Sequence, residues 1–91
     1  MLIPQEKFFE GLDFEYLPDI GWKGSHKGKD GHFYHIDHFD NVYVIEVADT
    51  EEEARYNTFE DAYDFPDEWG EEEIIRQVRE TMIKMCNGEI N

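Results

Sequence analysis

The sequence predicts an α+β fold: a small antiparallel sheet of about three strands built on a central β-hairpin, one face covered by a C-terminal amphipathic helix, with a second short acidic helical segment. Two observations carry this expectation. In GHFYHIDHFDNVYVIEVA, residues 31–48, apolar and aromatic side chains alternate on both sides of Asp40-Asn41, a pair that tolerates the positive φ of a two-residue turn. In EEEIIRQVRETMIKMCN, residues 71–87, apolar side chains recur at spacings of three and four, the period of a helix with one buried side.

Taken in chain order, residues 4–10 suit a short helix, with Pro4 in the first turn, Gly11 closing it and Phe8 and Phe9 turned to the interior. Residues 13–17 alternate around Phe14 and Tyr16 and stop at Pro18, which predicts a first strand added to the hairpin as a third, edge member. Residues 21–31, GWKGSHKGKDG, hold four glycines and three lysines and read as a flexible loop. They do not make a phosphate loop, because Gly28-Lys29 is followed by Asp30 instead of Ser or Thr.

Pairing Phe39 with Val42 sets the hairpin register. One face then carries Tyr34, Ile36, Tyr43, Ile45 and Val47 as core, and the other carries Phe33, His35, Asp37, Val42, Val44 and Glu46. Thr50 followed by Glu51, Glu52 and Glu53 forms a capping box, and Tyr56, Phe59 and Tyr63 continue at helical spacing up to Pro66, predicting one broken helical segment from Glu51 to about Asp64. The last helix starts with Gly70 as N-cap, with Trp69 and Ile74 at staple positions, and ends at Gly88. Its side bearing Ile74, Ile75, Val78, Thr81, Met82, Met85 and Cys86 should lie on the hairpin core face, leaving Ile83 outside.

Ninety-one residues with 40% hydrophobic and 15% aromatic content suit a single domain, residues 1–91, with one modest core. The net charge of −15, from 23 acidic and 8 basic side chains, exceeds the magnitude of about 2 to 8 that keeps a small domain soluble. Such a charge disfavours direct binding to nucleic acid or an anionic membrane and favours a basic protein as partner. The lone Cys86 excludes an internal disulfide and a cysteine metal site. With no signal-peptide pattern and no long apolar span, the expected location is cytoplasmic.

His32, His35 and His38 invite a metal site, but on a strand His35 points away from the other two, and those stand about 20 Å apart at roughly 3.3 Å per residue. No metal or other cofactor is expected. His35 opposite Glu46 reads as a cross-strand polar pair, not a catalytic dyad, and neither Ser25 nor Cys86 stands in a nucleophile context, so the expectation is a non-enzyme.

Residues 49–73 hold twelve acidic side chains against Arg55 alone. The two glutamate triplets sit in helix first turns, where the macrodipole favours them. Capping does not account for Glu60, Asp61, Asp64, Asp67 or Glu68, which join the triplets into a negative surface interleaved with aromatics. The expected partner-binding residues are therefore Glu52, Tyr56, Glu60, Asp61, Tyr63, Asp64, Asp67, Glu68, Trp69 and Glu72. The function read from this surface is a small acidic inhibitor that occludes the basic surface of a nuclease or other nucleic-acid-binding protein. Two settings share that physics: an immunity protein, and a phage-type anti-defence DNA mimic. The alternative is a non-catalytic adaptor that binds a neutral peptide or sheet edge, its charge serving solubility.

Overall fold

A computed structural model describes residues 2–90; of the predicted domain, the end residues Met1 and Asn91 lie outside the described residues. The elements run α1 (Gln5–Phe9), β1 (Glu15–Leu17), β2 (Gly21–His26), β3 (Lys29–Phe39), β4 (Val42–Ala48), α2 (Glu51–Arg55), β5 (Glu60–Pro66), a single 3-10 turn (Asp67–Trp69) and α3 (Glu71–Asn87). The strands form one antiparallel meander in the order β1-β2-β3-β4-β5. The α+β class holds, but the sheet has five strands where about three were expected. Both extra strands come from segments read as something else.

The first is β2, which occupies most of the predicted flexible loop. Its glycines permit close approach: a Cβ on Gly21 would lie 3.0 Å from the Tyr34 carbonyl oxygen, and one on Gly24 would lie 2.6 Å from the Phe14 ring. The β2–β3 turn is also pinned. Its Lys27 and Gly28 amides donate to the Met85 and Cys86 carbonyls at 2.8 Å each, satisfying groups that the end of α3 leaves without helical partners. As a result β1 pairs with β2 at the sheet edge instead of with the hairpin.

The second is β5. The predicted helix from Glu51 stops at Arg55, since Asn57 turns left-handed at φ 56°, and residues 60–66 pair along β4. Without β5, the inner strand β4 would be left with an unpaired edge. The alternation of Tyr63 and Phe65, opposite Ile45 and Tyr43, outweighs the helical spacing of Tyr56, Phe59 and Tyr63. The capping box does form at one end: Thr50 Oγ1 accepts from the Glu53 amide at 3.1 Å, while its hydroxyl donates to the Glu53 carboxylate at 3.2 Å.

The central hairpin has the expected register, from Phe39 opposite Val42 to Phe33 opposite Ala48. Asp40 and Asn41 both have positive φ, 52° and 62°, as a type I′ turn requires. One sheet face packs against α1 and α3 through Phe8, Phe9, Tyr34, Ile36, Tyr43, Ile45, Val47, Phe65, Ile74, Val78, Met82 and Met85, all buried. Phe9 stacks on Trp22 at 4.3 Å, and Phe14 meets Phe9 and Tyr34 edge-on. Beyond the end of β2, the free edge of β3 is closed by Gln5, whose side-chain amide donates to the Ile36 carbonyl at 2.7 Å and accepts from the Ile36 amide at 3.1 Å. On the opposite face Ala54 of α2 packs with Ile20, Phe33 and Ala48, and the Phe59 ring lies 5.9 Å from that of His35.

Candidate protein-binding site

The residues expected to bind a partner are spread over α2, β5, the 3-10 turn and the start of α3. Glu52 projects from α2 and Tyr56 follows it, exposed; Glu60, Asp61 and Asp64 stand exposed on β5; Asp67, Glu68 and Trp69 make the 3-10 turn; Glu72 is exposed in the first turn of α3. Tyr63 is half-buried and points to the helix-covered face, opposite Ile45. Glu60, Asp61, Tyr63 and Asp64 belong to β5, the last strand of the sheet, with β4 on one side and no strand on the other among the described residues. The acidic run thus forms a strand edge flanked by two turns, where a helical surface was expected.

Counter-charges are scarce there. Arg55 pairs with Glu51, and Arg76 with Glu73 and Glu80, while no lysine or arginine among the described residues pairs with Glu60, Asp61, Asp64, Asp67 or Glu68. Neither β4 nor β5 contains a basic residue, whereas Lys23, Lys27 and Lys29 belong to the β2–β3 hairpin. Charge is therefore segregated across the sheet.

The open face adds residues that sequence reasoning did not assign to the site. A bulge at Ala62 shifts the register so that Asp61 stands opposite Glu46 and Asp64 opposite Val44. Glu46 faces Asp61, and burial, interaction with the Asp61 carboxyl and the nearby Asp37 charge push its carboxyl up to about 7. His35 Nδ1 lies 3.4 Å from Glu46 Oε1, but burial lowers the imidazole's affinity for a proton. Both members of the pair are thus biased toward neutrality, and the contact is a weak polar one instead of a full ion pair. The His35–Glu46 juxtaposition was legible from the hairpin; Asp61 was not, because it required β5 to be a strand.

The three histidines of the repeated spacing go to three separate carboxylates: His32 to Asp49 at 3.5 Å, His35 to Glu46, and His38 to Asp67 at 2.9 Å. Among the described residues, no group of three or more His, Cys, Asp or Glu side chains is placed to hold a metal ion. His38 ties the hairpin tip to the 3-10 turn, reinforced by the Asp67 amide donating to the Asn41 carbonyl at 3.0 Å.

Away from the acidic edge, a cleft of about 550 Å³ lies between β2 and the end of α3, lined by Phe14, Lys23, Ser25, Asp30, Ile83 and Cys86 among others. The Cys86 thiol faces the Tyr34 hydroxyl at 3.9 Å, and burial pushes its pKa up, which keeps it protonated and a poor nucleophile. Tyr34 donates to the Ser25 carbonyl and meets His26 Nδ1, both at 2.9 Å, so this network joins β2, β3 and α3. Among the described residues, no helix is long and apolar enough to cross a membrane.

Comparison with protein-family models, with curated proteins and with solved structures returns no match for this chain.

Proposed function

We propose that this protein binds and occludes the basic, nucleic-acid-binding surface of a partner protein, in the manner of an immunity protein that neutralises a nuclease or a phage-encoded DNA mimic that disables a host defence. The observation supporting this reading is the β5 edge, where Glu60, Asp61, Asp64, Asp67 and Glu68 stand exposed with no lysine or arginine among the described residues paired to them. Holding like charges together on one side destabilises the isolated fold, and a cationic groove relieves that repulsion. Carboxylates would take the positions of phosphates and steer encounter, while the exposed Tyr56 and Trp69 would supply apolar contact. An open strand edge also suits an adaptor, but carboxylates along it favour a cationic occupant over a neutral one.

The test is capture from an extract of the native host, eluting with rising sodium chloride and, separately, with duplex DNA, followed by assay of the captured protein's nucleic-acid binding. The reading expects a nucleic-acid-binding protein that is released by DNA. Its inhibition by the parent protein should be lost when Asp61, Asp64 and Glu68 are changed to Lys. Equal inhibition by the triple variant would move the site elsewhere.

A further inference from the structure

We infer that β5 is a docking edge, onto which the basic partner adds an extended segment as a sixth strand; the inference rests on the function proposed above and specifies how contact is made. Three features of the structure support it. First, β5 is the outermost strand and runs seven residues, Glu60–Pro66, whereas β1, at the other edge, has three. Its outer backbone groups offer a ladder for strand addition, terminated where Pro66 lacks an amide proton.

Second, the side chains select the occupant. Asp61 and Asp64 project on the open face, beside Glu46, and residues directly opposite them on an added strand would have Cβ atoms about 5 Å away. Arginine or lysine fits there. On the helix-covered face an added strand would run past Tyr63 toward a hollow of about 190 Å³ lined by Trp69, Glu73 and Gln77, which suits an apolar side chain. The complementary segment therefore alternates basic and apolar residues.

Third, the same charges disfavour pairing with a second copy of this chain. In antiparallel pairing of two β5 strands, the registers that set Glu60 or Asp61 of one copy opposite Asp64 of the other place like charges directly opposite, which is destabilising. Charges on an edge strand guard against self-association; here, what repels a copy attracts a cationic strand.

The experiment uses the full chain and a synthetic peptide alternating arginine and valine over the length of β5, with a second peptide of the same sequence N-methylated at alternate backbone amides. Calorimetry measures affinity at low and high salt, and NMR hydrogen exchange follows the β5 amides. The parent peptide should slow exchange at outward-facing β5 amides, and the N-methylated peptide should bind about tenfold or more weakly. Asp61→Asn with Asp64→Asn should weaken binding of the parent peptide while leaving exchange in α3 unchanged. Equal affinity for the two peptides, with β5 amides unprotected, would overturn strand addition and leave charge-driven occlusion standing. No binding of either peptide at low salt would overturn both. Protection of β5 in the absence of peptide, together with a dimer in sedimentation, would overturn the inference in favour of self-pairing.

Discussion

At the scale of single residues, Glu46 and Gly24 show how position sets behaviour. Glu46 stands opposite Asp61 and beside Asp37 and His35, and has its carboxyl pushed up to about 7 from 4.5, mainly by burial. The folded protein therefore binds this proton more tightly than the unfolded chain, so the Glu46 contribution to stability falls as pH rises from about 4.5 to 7. His35 and His26, both shifted down by burial, act in the opposite sense, adding stability as pH rises toward 6.5. Comparing Glu46→Gln with the parent isolates the first effect. The variant's melting temperature should match the parent's near pH 4.5, and the gap in its favour should widen up to pH 8 in calorimetric scans. Gly24 lies under Phe14, and the 2.6 Å approach of an added Cβ forces the ring off Phe9 and Tyr34. Gly24→Ala should destabilise by about 1–3 kcal/mol in denaturant unfolding, the range for overpacking a filled site.

At the scale of elements, α3 and the β2–β3 turn stabilise each other. The helix ends at Gly88 in the left-handed region at φ 74°, and the turn amides of Lys27 and Gly28 reach the Met85 and Cys86 carbonyls. Ser25 adds a hydroxyl donor to the Cys86 carbonyl at 3.3 Å. Lysines at this end complement the negative end of the helix dipole. Native-state hydrogen exchange should accordingly find the Lys27 and Gly28 amides protected nearly as well as the core of α3, where a mobile loop would exchange within seconds. The acidic end of the molecule is built differently. There β5 has β4 on one side only, and α2 is a five-residue helix held by one capping box and the Arg55–Glu51 pair at 2.9 Å.

At the scale of the whole molecule, a net charge of −15 on 91 residues is distributed unevenly. Three of the five lysines lie in the β2–β3 hairpin, while β4, β5 and the turn after β5 have none. Repulsion along that side should be relieved by screening, because the Debye length shrinks to about 10 Å at 0.1 M salt. The melting temperature should therefore rise between low salt and about 0.3 M sodium chloride. A flat or falling profile would mean that the carboxylates are too dispersed to interact.

What the sequence by itself determined is the part governed by short-range pattern. The hairpin register from Phe39–Val42 to Phe33–Ala48, the type I′ residues Asp40 and Asn41, and the limits of α3 from Glu71 to Asn87 all follow from side-chain period and end chemistry within a few residues. The tertiary structure alone decided β2 and β5. Residues 21–26 contain only Trp22 as a large apolar side chain, so no alternation marks a strand; the segment is extended because its glycines admit Tyr34 and Phe14 and its turn caps a helix some sixty residues away. In residues 56–66 a helical and a strand spacing coexist, and the unpaired edge of β4 selects the strand. The acidic residues were legible as composition, but their assembly into an outer strand, and the meeting of Asp61 with Glu46, depend on backbone pairing between distant segments. Backbone hydrogen bonding is the same for every residue type, so the sequence pattern carries no direct record of which strand satisfies which edge.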